Sequence, residues 1–340
     1  MKFSKLSNNI LAPCLLIASM IILILFQSVF FKISDVIYAE PEETTQSEDE
    51  ISSVEQFDYI SLNNIKYKPD KFFILAVISN ICAFLLPAVF YIRLKGAGYS
   101  KILKFDIPKL KYLSLSIYMF FVLVLGTVLI NSLTFYFGGA DATVESILPL
   151  LFYTGGNPVY DMGIFIAFII LPAFCEEFFY RSVLSAEYER YGAFCAVIMT
   201  SLAFSMSHFS LRLFPSYFFA ALIFYIVAKI TNSVFFSMII HALYNFCSIY
   251  LWDKLLGVLK FEQNRVIFIF ITAIIFVIFI SLVLNNLENI YYKKAYNNEP
   301  SPVYLPENKP RRTAVVRLFR SFFTPTFIVA VIIFFVYVFI

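Results

Sequence analysis

Nine runs of mostly apolar residues dominate the chain, at 10–31, 72–92, 113–137, 162–186, 193–211, 214–230, 233–252, 265–285 and 322–340. A helix of about 20 apolar residues spans the hydrocarbon core of a bilayer. Of the 340 residues, 60% are hydrophobic and 14% charged, against roughly 25% charged in a soluble domain. The expected fold is therefore all-α: a polytopic membrane helix bundle of about eight to nine transmembrane helices. Its partner is the lipid bilayer, in a cell membrane crossed several times, read here as a bacterial plasma membrane. A net charge of +3 and the lack of any basic cluster interleaved with aromatics exclude nucleic acid. The five cysteines all lie in apolar runs with no Cys-x-x-Cys pair. They read as buried hydrophobes, not as a disulfide framework or a zinc ribbon.

Orientation follows from loop Lys and Arg. Loop 93–112 carries Arg93, Lys95, Lys101, Lys104, Lys109 and Lys111 against Asp106, and segment 286–321 carries Lys293, Lys294, Lys309, Arg311, Arg312, Arg317 and Arg320. Both are expected in the cytoplasm, with an even number of spans between them. Three regions result. Residues 1–71 are a first helix plus an acidic outer loop, "EPEETTQSEDEISSVEQFD", whose composition suits disorder. Residues 72–285 form the membrane bundle. Residues 286–340 are a basic, Pro-rich linker and a final span. The first apolar run is long for a signal peptide, whose apolar region is about 7–15 residues, and is read as a retained helix.

The fourth run ends abruptly in two carboxylates, "FCEEFFYR", with no other charge between Asp161 and Glu176. An intramembrane carboxylate costs about 2.5–3.5 kcal/mol even on lenient scales. Adjacent residues on a helix diverge by about 100°, so Glu176 and Glu177 cannot share one role. Arg181 lies four residues beyond Glu177, the favoured spacing for an ion pair. Glu176 is left on another face. The bland alternatives are a helix-end pair with a snorkelling Arg and interfacial exposure of Glu176.

The chain has two histidines, His208 and His241, and both fall in apolar runs. Phe204 precedes His208 by four residues and Asn245 follows His241 by four, so each pair shares a helix face. In a chain with 42 Phe, Phe204 is also readable as ordinary core. Counting from the turn near "RYGA", Glu176 lies about 16 residues before it and His208 about 16 after it, each roughly 24 Å away along a helix. His241 and Asn245 fall roughly 14–20 Å from the next turn on that side. The four groups are expected in one layer.

A Glu beside a His in a dry cavity can hold a water and take its proton. A second His and an Asn amide can donate to a developing oxyanion. Two His and a carboxylate are also enough ligands for a catalytic zinc, although no His-Glu-x-x-His is present. Spacing leaves both chemistries open: a divalent metal such as zinc held by Glu176, His208 and His241, or no cofactor. Ser205 and Ser207 lack a Gly-x-Ser-x-Gly setting. Trp252 reads as an interfacial anchor.

Glu176-Glu177-x-x-x-Arg181, then Phe204-x-x-x-His208, then His241-x-x-x-Asn245, on successive membrane helices, resembles the CAAX-protease and bacteriocin-processing family. That family includes the type II CAAX prenyl endopeptidases and bacterial relatives linked to bacteriocin immunity. The resemblance covers about residues 110–285, with its motifs in 172–250. It implies an intramembrane hydrolytic site, with Glu176 and His208 activating water, His241 and Asn245 stabilising the oxyanion, and Glu177, Arg181 and Phe204 supporting them. It also implies an endopeptidase acting on membrane-bound protein or peptide substrates, of metallo- or glutamate type. The chain departs from the pattern in one place: Ala220 and Ala221 stand where relatives often carry glycine. A non-catalytic scaffold, regulator or immunity protein on the same fold is the alternative. A transporter is disfavoured by the absence of internal repeats.

Overall fold

The computed structural model describes residues 8–38, 60–62, 65–67, 69–96, 98–99, 103–138, 158–296 and 311–340. The acidic stretch 40–58, the outer loop 139–157 and residues 297–310 of the linker lie outside the described residues. The described chain is almost wholly helical. The exception is a small antiparallel hairpin of β1 (Ile60–Leu62) and β2 (Ile65–Tyr67), at the close of the outer segment.

Six helical stretches are long and apolar enough to cross a bilayer: Leu11–Val29, Phe73–Lys95, Leu110–Phe137, Pro158–Glu189, Phe214–Thr231 and Gln263–Lys293. A bent pair, Thr313–Phe322 with Pro325–Phe339, makes a seventh if counted as one span. The multi-pass bundle stands; among the described residues the count is six to seven, and eight to nine is not confirmed. Two expected spans are short helices, Ala193–Met206 and Val234–Tyr250. The 14 residues of the first reach only about 21 Å, against roughly 30 Å of hydrocarbon. It stops because the chain turns after Met206, with Phe209 in the left-handed region at φ +48°. The last expected span, 322–340, is also short, a helix over Pro325–Phe339 set off from a helix in the expected linker. Thr324 accepts a hydrogen bond from the backbone N–H of Phe327 and Pro325 follows it, so a new helix starts there at a 60° bend.

The long fourth span is not a uniform α-helix. Its α-helical segment Leu171–Glu177 is flanked by π-helical turns, Phe165–Ile170 and Phe178–Leu184. Such turns rotate the side chains beyond them and recur at functional sites. Glu176 and Glu177 close the α-helical segment, and Arg181 lies in the second π-helical turn.

One end of the bundle gathers the basic segments. The backbone N–H of Val234 donates to the carbonyl of Lys104 at 2.9 Å, and Asn232 donates to Asp106 at 2.7 Å. The Lys104 ammonium pairs with Glu189, which also takes Lys229 at 2.9 Å and the Tyr225 hydroxyl at 3.0 Å. Burial pulls the Lys104 amine below the usual lysine range, against the opposing charge of Glu189. Asn286 donates to Ser114 at 2.9 Å, which brings the start of the second basic segment to the same end. The turns at 190–192 and 232–233 are therefore on the side expected to face the cytoplasm.

We denote the helices of the core and the two termini as α1 (Asn8–Tyr38), α2 (Ala193–Met206), α3 (Phe214–Thr231), α4 (Val234–Tyr250), α5 (Arg311–Phe322) and α6 (Pro325–Phe339). The core runs through α2, α3, α4 and the Pro158–Glu189 span. Ala220 and Ala221 are each 1% exposed, so two small side chains stand at this packed helix face. The terminal helices α1 and α6 lie against each other, joined by a 2.6 Å hydrogen bond from Tyr337 to Gln27. Ala12, Leu16 and Met20 of α1 are buried in this bundle.

Candidate active site

Glu177 is the best-connected group in the core. Its Oε2 faces Arg181 Nε at 3.2 Å and accepts a hydrogen bond from the Ser237 hydroxyl. Its Oε1 lies 3.1 Å from His241 Nδ1. The ion pair expected from the i, i+4 spacing is present, and Glu177 also reaches His241, 64 positions further on. Arg181 is 1% exposed and stacks over three rings, with its guanidinium carbon 4.7 Å from Phe204, 5.3 Å from Phe224 and 5.7 Å from Tyr180. Its Nη2 donates to the Ala221 carbonyl at 3.4 Å. A buried guanidinium is stable only with such partners.

Phe204 is the hub of the layer. Its ring lies 4.6 Å from His208 and 5.8 Å from His241, besides the contact with Arg181. Both imidazoles are clamped by a second ring. Tyr217 covers His208 at 4.1 Å and 30°, and Phe224 stacks on His241 at 4.5 Å and 23°.

The hydrogen bonds of the imidazoles fix their tautomers. His208 Nδ1 lies 2.8 Å from the Phe204 carbonyl oxygen. A carbonyl only accepts, so in the neutral ring Nδ1 carries the hydrogen and Nε2 a lone pair. The same holds for His241, whose Nδ1 faces a carboxylate. Each Nε2 can therefore accept a proton. His241 can donate from Nε2 only after it becomes imidazolium, with Glu177 as counter-ion.

Glu176 is different. It is 8% exposed, and its Oε2 is buried without a hydrogen-bond partner. The charges that act on it are His241, Glu177 and Arg181. No hydrogen bond joins it to His208 among the described residues. The link between them is Tyr217, whose ring lies on His208 and whose hydroxyl is in the field of Glu176. Asn245 is half-buried on the face of α4 shared with His241, and its Nδ2 makes a long 3.5 Å bond to the Ile169 carbonyl. Ser205 and Ser207 spend their hydroxyls on backbone carbonyls, at 2.9 Å to Ser201 and 2.7 Å to Phe204.

The lone pairs on both imidazoles suit a metal ligand as well as a proton acceptor. The positions do not: no group of three or more His, Cys, Asp or Glu among the described residues is arranged to hold an ion. His208 and His241 meet around Phe204, whereas no contact among the described residues brings Glu176 to His208.

Residues 158–247 match the family described as type II CAAX prenyl endopeptidase Rce1-like. The segment is thus similar to the Rce1-like endopeptidases, a branch of the CAAX-protease and bacteriocin-processing family. It runs from the start of the glutamate-bearing span to two residues past Asn245, so it encloses every contact of the layer around Phe204. The match supports a function of the CAAX-type intramembrane protease kind. It gives no support to bacteriocin immunity or to a metalloprotease in particular. No curated protein and no solved structure matches the chain.

Three contributors to this candidate site are not evident from the sequence. Ser237 has a signal, since it lies four residues before His241 and extends the stripe through Asn245. Tyr217 and Phe224 have none: rings are so frequent in this chain that only the fold shows which two cover the imidazoles.

Proposed function

We propose that the chain is an intramembrane endopeptidase that hydrolyses peptide bonds of membrane-bound protein or peptide substrates with a water held by Glu176 and His208. The observation that carries this reading is the buried, unpartnered Oε2 of Glu176, with His241 among the charges that act on it. A buried carboxylate oxygen without a partner costs of order 1–3 kcal/mol, and a water is the partner that hydrolysis needs.

In this scheme the water donates one hydrogen to Glu176 and the other to His208 Nε2. Its oxygen attacks the scissile carbonyl carbon while Glu176 takes the first proton. The tetrahedral oxyanion is met by the Asn245 amide and by Nε2–H of His241, which takes up a proton from the medium when substrate binds and is held as imidazolium by Glu177. The C–N bond then breaks, and Glu176 returns its proton to the leaving amine. The new carboxylic acid gives up the water's second proton to His208. Phe204 holds both imidazoles in register, and Arg181 balances Glu177. The site is expected in a cell membrane with the basic segments on the cytoplasmic side.

The test uses purified wild type with the Glu176→Gln and His208→Ala variants, presented with a peptide library in detergent, with and without a zinc chelator. Cleavage by wild type, lost by a factor of at least about 100 in both folded variants, is the expected result. Sensitivity to the chelator would move the water onto a metal. Cleavage unchanged in both variants would overturn the reading and leave a scaffold on this fold.

A further inference from the structure

The amphipathic helix α5 has no place in the site. It carries four arginines, at 311, 312, 317 and 320, and no acid. Its inner face packs on α2: the Cys195 thiol donates to the Ser321 hydroxyl at 3.3 Å, and Arg317 lies over the turn at Gly192, where a Cβ would be 3.6 Å from its Nη2. Its outer face is uncovered. Val315, Val316, Phe319 and the adjoining Phe323 are exposed by 43–62%, and Arg320 is exposed beside them. The helix sits at the end of the bundle that holds the basic segments, and it leaves the axis of α6 by 60°.

These features define what can cover that face. A water-soluble partner would leave the apolar row facing the headgroups. A neutral lipid surface would bury the row and offer no anion to the exposed Arg320 beside it. A helix with four arginines in its sequence and an exposed apolar row flanked by Arg320, lying across the end of a span, fits a monolayer of anionic phospholipid, with its rings at the acyl boundary and Arg320 at the phosphates. We propose that α5 is a docking surface for anionic phospholipid headgroups in the leaflet at the basic end of the bundle.

The seat bears on the site through α2. The α5–α6 pair holds both ends of that helix: Arg317 and Ser321 at Gly192 and Cys195, and Tyr337 against Phe209 at 4.6 Å, one residue past His208. Lipid bound to α5 therefore loads the helix that carries Phe204. The lipid seat itself holds whether or not the chain cuts peptides.

The experiment uses the full chain with Trp252→Phe and Phe319→Trp, which leaves one tryptophan, on the outer face of α5. The protein is reconstituted in phosphatidylcholine vesicles in which one lipid in ten is brominated on its acyl chains, as either phosphatidylcholine or phosphatidylglycerol. Each basic residue near an anionic surface favours it by about fivefold. Brominated phosphatidylglycerol is thus expected to quench several-fold more strongly than brominated phosphatidylcholine at the same fraction. Arg311, Arg312 and Arg320 changed together to Gln should abolish that preference while quenching by brominated phosphatidylcholine persists, which shows the helix still seated. Equal quenching of the unmodified helix by both lipids would overturn the recognition of anionic headgroups. No quenching by either would overturn the lipid seat altogether.

Discussion

Replacing Glu177 by Gln keeps the shape of the side chain and an acceptor for the His241 Nδ1–H, and removes only the charge. What remains is Arg181, 1% exposed, with three aromatic faces and one carbonyl at 3.4 Å but no anion in contact. Breaking a buried pair from one side costs about 3–5 kcal/mol, because the surviving charge is stranded. At about 2–4 °C per kcal/mol for domains of moderate size, the apparent melting temperature in detergent should fall by about 10 °C. Arg181→Met is expected to cost less, since Glu177 keeps His241 and Ser237 as donors. The decisive variant is the double one, Glu177→Gln with Arg181→Met. With no charge left to strand, it should recover at least half of the loss in Glu177→Gln. The assay is a thermal scan of the three variants and wild type in one detergent, with size exclusion to confirm a folded start. A Glu177→Gln protein melting within about 2 °C of wild type would refute the reasoning, as would a double variant no more stable than that single one.

The two histidines make the tautomer argument directly measurable. In 15N-histidine-labelled protein at neutral pH, both imidazoles should show a protonated Nδ1 and a bare Nε2. Tyr217→Phe should keep the His208 signal in place, because the stacked ring remains, whereas Tyr217→Leu should shift it. Gly126→Ala should lower the melting temperature by several degrees, since a Cβ there would lie 2.3 Å from the Phe219 ring and 3.0 Å from Phe276, an overpacking worth about 1–3 kcal/mol. Gly257→Ala, with nothing within 4 Å of its Cβ, should melt with wild type. Gly192→Ala should also destabilise, by about 1–2 kcal/mol, because Gly192 sits at φ +104°.

The helical membrane fold was legible because apolar runs and basic loops are written along the chain. The span count was not, because its exceptions are local. Apolar residues continue past Met206, yet Phe209 turns the backbone left-handed there. Apolarity also runs through Phe322 and Phe323, and the break depends on the Thr324 cap and on Pro325. Within the site, partners four residues apart could be read: Glu177 with Arg181 on one span, and Phe204 with His208, which lies in the turn just past α2. Partners on different helices could not. The sequence placed Glu176 with His208 by counting depth, and depth has no azimuth. The structure gives Glu177, not Glu176, to His241, and sets Tyr217 beside His208.

That assignment accounts for two carboxylates standing side by side. A buried ion needs an opposite charge and donors for its lone pairs. Glu177 takes all of these: Arg181 on one oxygen, His241 on the other, and the Ser237 hydroxyl. Its neighbour, turned about 100° away on the helix, receives none, and its Oε2 stays buried and unpartnered. A fold selected only for stability would place a leucine at 176. In the proposed function, the saturated glutamate holds the layer together and the unsaturated one keeps an oxygen for the attacking water. The two should therefore separate by phenotype. Glu177→Gln is expected to act first on melting, whereas Glu176→Gln should melt at or above the wild-type temperature and lose turnover. A Glu176→Gln protein that melts as low as Glu177→Gln would place both carboxylates in the scaffold and remove the water's seat.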